Sequence, residues 1–392
     1  VPVVPFGGGS GVCGGTVVTR ESIALSLGRM NRILDLDRIS GLVRVQPGVY
    51  GPELEKYLDG EGFTLGHFPA SFEISTVGGW LATRSAGQSS TKYGKIEDMV
   101  CSVRVVLPDG RIVQTVPAPR SAMGSSLAQL FVGSEGTLGV IVEAGLRVWP
   151  KPEEKVYQSY SFDTFALGAE AVRKLVQKGF RPAVVRLYDE AEAAWYGSSL
   201  KWDSGGALLV LVWEGTGGLT AAEAEKGMAE IVKTGKFTGD VPGKRWEATR
   251  FQQVHDYRKI AERQDPILAE TIEIACLWKD VAGLYEDVRN SVPGTLCTAH
   301  ISHAYSDGVG IYFTFLIQAE NMKAVQRRYS ALWKAVMGAV VRRGAAISHH
   351  HGIGTLRAPW MKRSLGEGHE LLKQIKRTLD PSGIMNPGKL GL

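Results

Sequence analysis

The sequence PFGGGSG, residues 5–11, places a glycine-rich turn directly after a short apolar run, VPVV at residues 1–4. Consecutive glycines behind a strand expose backbone N–H groups that can surround phosphate oxygens, where a side chain would clash. The turn lacks the Gly-Lys-Ser/Thr ending of a P-loop, and no helix follows it as in the GxGxxG fingerprint. Taken alone, it fits a phosphate site and a surface turn equally well. Because the chain opens on a strand, we expect an earlier segment to precede it.

Two further glycine clusters follow this turn. They are STVGG with TRSAG, within residues 75–87, and GSEGTLGVI, residues 133–141. The chain holds 48 glycines in 392 residues, about 12% against a typical ~7%. Three sites of close backbone approach within the first 141 residues favour a long, folded cofactor over a mononucleotide.

Length and composition exclude several classes of protein. With 392 residues and 44% hydrophobic content, the chain is expected to form two or three globular domains. The charge balance of 45 − 40 = +5 includes no basic block, so a nucleic acid partner is not expected, whereas an anionic substrate is compatible. The longest apolar runs, about seven residues, are too short for a membrane span, and no signal peptide is visible. The cysteines lack CxxC spacing, which argues against a zinc site or a disulfide framework and favours a cytoplasmic location: Cys13, Cys101, Cys276 and Cys297.

The composition of the sequence and the pattern of its predicted elements change near residue 150. A glycine-rich, strand-rich part, residues 1–150, gives way to alternating strands and amphipathic helices, residues 151–345, and then to a C-terminal segment, residues 346–392. Asp163 is predicted to cap the first helix of the second part. The segment FTGDVPG, residues 237–243, predicts a loop.

The glycine clusters together resemble one superfamily. The segments PFGGGSG, ASFEISTVGG (residues 70–79), TRSAG (residues 83–87) and GSEGTLGVI closely resemble the FAD-binding domain of the vanillyl-alcohol oxidase / para-cresol methylhydroxylase flavoproteins. The ending DPSGIMNPGK, residues 380–389, is also typical of them. The resemblance implies an α+β fold, in which a two-part FAD-binding domain is joined to an α/β cap domain with an antiparallel sheet.

The resemblance also assigns a role to each part of the chain. Residues 1–150 would bind FAD, residues 151–345 would form the cap that binds the substrate, and residues 346–392 would return to the flavin. Members with covalent flavin often carry a histidine in the glycine-rich loop, where this chain has GSGVC at residues 9–13. Noncovalent FAD is therefore expected.

Particular residues are implied as FAD ligands. Residues 5–11 would hold the pyrophosphate, residues 70–76 and 83–86 would line the ribityl and isoalloxazine parts, and residues 135–141 would close over the cofactor. The implied FAD-binding residues are Pro5, Phe6, Gly7, Gly8, Gly9, Ser10, Gly11, Ala70, Ser71, Ser75, Thr76, Gly78, Gly79, Thr83, Arg84, Ser85, Ala86, Glu135, Gly136, Thr137, Leu138, Gly139, Val140 and Ile141.

The motif SHHHGIG, residues 348–354, contains three consecutive histidines. They cannot share one face of a strand or helix, so they predict an irregular turn that presents imidazoles in different directions. An exposed run and a metal site are the alternatives to an acid–base cluster beside the flavin. We favour the cluster, formed by His349, His350 and His351.

A metal site is not expected here. The related D-2-hydroxy-acid dehydrogenases usually have Glu-His-Gly-Ile-Gly at the matching place, and that glutamate helps to bind a divalent metal. In this chain His350 replaces the glutamate. Upstream, His303 is retained, but Tyr312 lies near the second histidine position. Loss of two of the three ligands argues against that metal site.

Three segments look like the alkyldihydroxyacetonephosphate synthases, the ether-lipid branch of the superfamily: SHHHGIGTLR, GIYFTF (residues 310–315) and ETIEIACLW (residues 270–278). That family has a tyrosine about 38 residues before the middle histidine, and Tyr312 and His350 are 38 residues apart. A strand here would place Tyr312 on the face opposite Phe313. The resemblance implies Tyr312, activated by the histidines, as the catalytic base.

Two arginines are implied as substrate ligands. Arg258 lies about a dozen residues before the ETIEI strand, where the family has an arginine. Arg186, within VRLYD at residues 185–189, matches a family arginine on a cap-domain strand.

The implied reaction is an exchange without net redox change. The acyl group of acyl-dihydroxyacetone phosphate would be replaced by a long-chain alcohol through a flavin N5 adduct. One alternative is an FAD-linked dehydrogenase or oxidase of a D-2-hydroxy acid or another hydroxylated substrate. The other is a noncatalytic flavin- or nucleotide-binding protein. Lipid substrates imply peripheral membrane contact, and a homodimer is expected. Candidates for an apolar tunnel in the cap are Phe165, Leu268, Ile272, Leu277, Trp278 and Phe313.

Overall fold

The chain divides into two compact units. Unit 1 comprises residues 1–87, 93–151 and 350–392, and unit 2 comprises residues 88–92 and 152–349. The computed structural model describes residues 1–18, 21–203, 205–252 and 266–392.

Short strands and helices make up the first part of the chain. Its strands are β1 (Val3–Phe6), β2 (Ile23–Ser26), β3 (Ile33–Asp37), β4 (Leu42–Val45), β5 (Phe63–Thr64), β6 (Val100–Val106), β7 (Ile112–Gln114), β8 (Val140–Arg147) and β9 (Trp149–Pro150). Its helices are α1 (Gly51–Gly60), α2 (Val77–Thr83), α3 (Ser90–Tyr93), α4 (Ile96–Met99) and α5 (Leu127–Phe131), with a 3-10 turn at Phe72–Ile74. β1 and β2 pair in parallel, while a five-stranded antiparallel sheet has the order β3-β4-β8-β6-β7.

A seven-stranded antiparallel sheet forms the centre of unit 2. Its strands are β10 (Glu154–Phe162), β11 (Val184–Tyr188), β12 (Ala207–Gly215), β13 (Lys236–Gly239), β14 (Ile267–Leu277), β15 (Leu296–Ala304) and β16 (Gly308–Gln318). Their order is β13-β10-β12-β11-β15-β16-β14. The helices are α6 (Phe165–Gln177), α7 (Glu190–Leu200), α8 (Leu219–Ile231), α9 (Val241–Thr249), α10 (Val281–Asn290) and α11 (Met322–Arg342), with a 3-10 turn at Trp278–Asp280.

The C-terminal part of the chain returns to unit 1. It holds α12 (Met361–Leu365), α13 (Glu367–Leu379) and 3-10 turns at Ala358–Trp360 and Lys389–Gly391. Among the described residues, no helix combines the length and the apolar character required to cross a bilayer.

The two faces of the large sheet differ in polarity. Side chains alternate along β16, so that Ile311 and Phe313 are fully buried on one face and Tyr312 lies on the other. In the strand register Tyr312 stands opposite both His300 and Glu273. The separation of Tyr312 from Phe313 that the sequence predicts is therefore confirmed.

The position of Phe313 corrects the expectation of an apolar tunnel. Ile272 pairs with Phe313, so both lie on the face opposite to Tyr312. Phe165 stacks on Tyr285 with ring centroids 4.7 Å apart, and Tyr285 in turn lies over Phe313. These side chains pack in the core on the face of the sheet opposite to Tyr312, where Ile272 and Phe313 are fully buried.

Two local predictions also need correction. The first helix of unit 2 is capped by Thr164, whose Oγ1 accepts a hydrogen bond from Leu167 N, rather than by Asp163. Residues 237–243 are not a plain loop, since they contain the end of β13 and the start of α9. Pro242 lies in the first turn of α9, where its missing N–H has no helical acceptor to lose.

Buried His67 should make unit 1 sensitive to acid. Its Nε2 lies 2.7 Å from Ser85 Oγ, and burial, with a contribution from Lys95, lowers its pKa to about 3. Below pH ~6.5 His67 binds a proton in the unfolded chain but stays neutral in the folded chain. Each pH unit of further acidification, down to the folded pKa, therefore removes about 1.4 kcal/mol from the free energy of unfolding. We expect His67→Gln to reduce the stability loss between pH 7 and pH 5 by about 2 kcal/mol, measured by denaturant titration at both values. Equal losses in both proteins would contradict this assignment.

Candidate active site

The glycine-rich turn after β1 packs against the chain just before α2. A Cβ atom on Gly7 would lie 2.5 Å from Thr76 Oγ1, and one on Gly8 would overlap the carbonyl oxygen of Ile74. Gly9 adopts a φ of +66°, a conformation that L-residues rarely adopt. Two segments that the sequence assigns to FAD, residues 5–11 and 70–76, are therefore in direct contact.

The same turn offers unpaired donors. The N–H groups of Gly8, Gly9, Ser10 and Gly11 donate no hydrogen bond to any described residue, and the space beside Gly11 is open. Adjacent free N–H groups in a turn containing a left-handed residue form a concavity suited to an anion. The turn therefore fits the pyrophosphate of FAD.

The backbone donors of the second glycine cluster are bonded to protein groups, and its contacts with FAD stay predictions. At the start of α2, Val77 N donates to Val49 O and Gly78 N donates to Pro47 O. Gly79 N lies 3.4 Å from Thr76 Oγ1, the cap of this helix. Because these donors already have protein acceptors, the close approach at Gly78 serves packing against Pro47.

Several side chains predicted to contact FAD are bonded to protein groups. Ser75 Oγ accepts a hydrogen bond from Trp80 Nε1, and Ser85 Oγ lies beside His67. Arg84 donates from Nε to Val132 O and from Nη2 to Gln129 O. FAD contacts from these residues stay predictions.

Glu135 anchors the loop that follows the three histidines. Its buried carboxylate accepts hydrogen bonds from Ile353 N at 2.6 Å and from Gly354 N at 2.8 Å. Burial raises its pKa, while these two bonds and Arg357 oppose the increase. The contact between residues 135 and 352–354 fixes the backbone next to His350 and His351, which lie edge to face with ring centroids 4.6 Å apart.

Glu135→Gln tests this anchor. The amide group replaces one acceptor by a donor, so either Ile353 N or Gly354 N loses its partner in a buried place, which costs about 1–3 kcal/mol. We expect a decrease of that size in the free energy of unfolding and a turnover at least ~10-fold lower, measured on the same flavin-loaded samples. Glu143→Gln, on β8 and facing exposed Arg44, is the control and should change neither value appreciably. An unchanged stability in the Glu135 variant would contradict the role of an anchor.

Arg186 lies buried on the polar face of the unit 2 sheet. Its side chain donates from Nη1 to Ser302 Oγ at 2.9 Å, and its guanidinium carbon lies 5.1 Å from the ring centre of Tyr188. Burial lowers the pKa of Arg186, but Tyr188, Glu192 and Tyr312 raise it by more, so the side chain is a permanent cation. Arg186 Nε has no partner among the described residues.

Tyr312 and His300 form the next part of this face. Their rings stack with centroids 4.6 Å apart and an interplanar angle of 19°. His300 Nδ1 lies 2.7 Å from Glu192 Oε1, on α7, and Thr298 donates to the other carboxylate oxygen. His300 and Glu192 were not predicted from the sequence, since neither lies in a recognisable motif.

The protonation of this pair follows from its surroundings. Burial raises the pKa of Glu192, but His300 and Arg186 lower it by more, so the carboxylate is ionised. Burial and Arg186 lower the pKa of His300 against the opposing effect of Glu192. A neutral His300 thus donates Nδ1–H to Glu192 and keeps Nε2 as an acceptor.

A second hydrogen-bonded group contains His349, the first of the three histidines. His349 Nε2 lies 3.0 Å from Tyr305 Oη, which lies 3.4 Å from Ser90 Oγ, and Ser90 lies 2.7 Å from His303 Nδ1. The rings of His303 and His349 stack with centroids 4.7 Å apart. The carboxylate of Glu273 accepts from the backbone N–H of His349 and from Ser348 Oγ. Ser90 and Tyr305, which the sequence analysis missed, thus connect two imidazoles.

The boundary between the two units falls among the predicted site residues. Tyr312, Arg186 and His349 belong to unit 2, whereas His350 and His351 belong to unit 1. Arg258 lies outside the described residues. The expectation that the chain has no metal site stays a prediction.

Known families account for both parts of the chain. Residues 1–115 match the family described as FAD binding domain, and residues 151–390 match the family described as FAD linked oxidases, C-terminal domain. The chain belongs to the FAD-linked oxidase family. It is a flavoprotein of the para-cresol methylhydroxylase type, and FAD is its cofactor.

Relatives of this FAD-linked oxidase carry two kinds of name. An alkyldihydroxyacetonephosphate synthase of Dictyostelium discoideum is 33% identical over 426 residues, which cover 100% of this chain and 69% of that protein. An uncharacterized FAD-linked oxidoreductase of Escherichia coli O157:H7 is 32% identical, covering 99% of this chain and 83% of that protein. A solved alkyldihydroxyacetonephosphate synthase superimposes with a TM-score of 0.80 at 28% identity, covering 98% of this chain and 71% of the other. The predicted α+β fold of a flavoprotein with a cap is confirmed.

Proposed function

We propose that this FAD-linked enzyme exchanges the acyl group of an acyl-dihydroxyacetone phosphate for a long-chain alcohol, as an alkyldihydroxyacetonephosphate synthase does. The observation that carries the proposal is the buried cation Arg186 on the same sheet face as Tyr312. The 33% sequence identity to the Dictyostelium enzyme, over an alignment that covers the whole of this chain, supports it.

Arg186 is assigned to the phosphate. A guanidinium is planar and always charged, and it binds phosphate with two parallel hydrogen bonds. The unpartnered Nε of Arg186 and the ordered Ser302 beside it leave the group oriented for an anion. Arg258 is a further proposed phosphate ligand.

Tyr312 is assigned to the C1 proton of the substrate. Its Oη would accept this proton, and the positive charge of Arg186 favours the phenolate that does so. FAD, when bound, supplies an electron-deficient ring system that can take up an electron pair from carbon. His349 is proposed to exchange the proton of Tyr312, because His303 stacks on His349 and the ring centroids of His303 and Tyr312 lie 6.1 Å apart. Catalytic roles for His350 and His351 stay predictions.

Oxidation of a 2-hydroxy acid is the second candidate function. A glycolate oxidase subunit of Bacillus subtilis, 29% identical, favours it. The uncharacterized FAD-linked oxidoreductase of Escherichia coli supports an oxidation without indicating its substrate. Arg186 is also suited to a carboxylate, because carboxylate and phosphate present similar pairs of oxygens. A homodimer and peripheral membrane contact remain proposals for either function.

One experiment separates the two functions. Flavin-loaded protein is incubated without oxygen with an acyl-dihydroxyacetone phosphate and a labelled fatty alcohol. Formation of a labelled ether while the flavin stays oxidised is the expected result. Bleaching of the flavin by 2-hydroxy acids, together with no ether, would refute the exchange and support the second candidate.

A further inference from the structure

His300 carries a buried polar atom that no described residue satisfies. The side chain is 5% exposed, and its Nε2 has no hydrogen-bond partner among the described residues. A buried acceptor without a partner costs about 1–3 kcal/mol, so such atoms occur where a water or ligand completes them.

The hydrogen bonds around His300 determine which kind of chemical group its Nε2 can bind. Nδ1 donates to Glu192, whose second oxygen accepts from Thr298, so the ring is held in one tautomer. A neutral ring with Nδ1–H offers Nε2 only as an acceptor, and the partner must therefore be a donor.

The neighbours of His300 indicate a reacting group rather than a structural one. Its ring stacks on Tyr312, and Arg186 is close enough to lower its pKa. Arg186 Nε is also unpartnered among the described residues, so one small region offers both an anion ligand and a proton acceptor. An anionic group and a hydroxyl, carried by one ligand or by two, would satisfy both atoms.

We propose that His300 is a further catalytic residue whose Nε2 accepts the hydroxyl proton of an alcohol substrate, and that Glu192 is its positioning residue. In its application to the fatty alcohol, this inference rests on the proposed exchange. A hydroxyl is also carried by a hydroxy acid, and the test distinguishes these two sources.

The exchange balances with His300 in this role. The O–H bond of the alcohol breaks and its proton forms an N–H bond at His300 Nε2. The oxygen keeps the electron pair of that bond and uses it for the new bond to C1. The acyl carboxylate has by then left C1 with the pair of the old C–O bond and stays ionised, the C1 proton taken by Tyr312 is returned to C1, and the alcohol proton passes from His300 to solvent. No group is oxidised or reduced overall.

The first test separates the two substrates. Flavin-loaded wild type and His300→Gln are compared in two assays: deuterium uptake from D₂O at C1 of acyl-dihydroxyacetone phosphate, and ether formation from 1-dodecanol in detergent. We expect the variant to keep C1 exchange within about threefold and to lose ether formation by at least ~100-fold, the contribution typical of a general base. His369→Gln, which alters a buried histidine bonded to Leu390 O, is the matched control and should retain both reactions. Ether formation within threefold of wild type in His300→Gln would overturn the inference.

The second test does not depend on turnover. ¹⁵N-histidine spectra of the flavin-loaded wild type, assigned with His300→Gln, report the Nε2 signal of His300 during additions of 1-dodecanol or glycolate. A shift with dodecanol supports the inference within the exchange reaction. A shift with glycolate alone supports hydroxyl recognition by His300 while the proposed exchange fails. No shift with either compound overturns the inference.

Discussion

Replacement of Arg186 by Met is expected to reduce kcat/KM for the anionic substrate by about 10²–10³-fold. Arg186 is a buried cation that donates to Ser302 and keeps a free Nε, so its loss removes a fixed charge from a water-poor place. Steady-state kinetics with acyl-dihydroxyacetone phosphate, or with a 2-hydroxy acid if oxidation is the reaction, measure the effect. Arg186→Lys keeps the charge but not the planar fork, and we expect an intermediate loss.

Arg173→Met is the matched control for this prediction. Arg173 lies on α6 on the other side of the sheet and pairs with Glu170 on the surface, where an ion pair contributes little. Its kinetics should remain within about twofold of wild type. If Arg186→Met remains equally active while it folds and holds flavin, Arg186 is not the anion ligand.

We expect Gly8→Ala to push apart residues 5–11 and 70–76, the two segments in contact at the proposed pyrophosphate site. We call these two segments the FAD cradle. The new Cβ would overlap the carbonyl oxygen of Ile74, a backbone atom that cannot turn away. Gly8 has no positive φ, so the effect is steric. We expect a loss of about 1–3 kcal/mol in stability and at least ~10-fold weaker FAD binding, measured by flavin titration of the apoprotein and by denaturant unfolding.

Gly60→Ala is the control for this variant. Gly60 ends α1, no heavy atom lies within 4 Å of a Cβ built there, and its φ is not positive. It should bind FAD like the wild type. Equal FAD affinity in Gly8→Ala would show that the contact between Gly8 and Ile74 does not shape the cradle.

The cofactor and the fold class could be predicted from local sequence because the FAD segments are short and contiguous. The glycines of PFGGGSG alone indicate that its backbone comes close to another group. The alternation of side chains around Tyr312 identifies the two faces of β16. The individual glycines were harder to interpret. Gly78 resembles a phosphate ligand in sequence, yet its N–H is used by Pro47 O, a contact that only the folded chain brings about.

The polar clusters of unit 2 could not be predicted in this way. His300 and Glu192 are 108 residues apart, and Ser90 and His303 are 213 residues apart. Single serines and glutamates are common, and no local pattern shows that such distant residues meet. The residues that sequence motifs did find, Tyr312 and His349, each turn out to belong to one of these clusters.

The discontinuity of unit 1 has a consequence for biosynthesis. β1 is bonded to residues 384–386, since Val3 N donates to Ile384 O and Asn386 N donates to Val3 O. Asn386 Nδ2 also donates to Glu135 O, and Lys376 donates to Thr137 O. A nascent chain therefore lacks these bonds until residues 376–386 have been synthesised. Apart from residues 88–92, unit 2 is contiguous and can fold before them, so FAD capture is expected to follow the synthesis of residues 376–386.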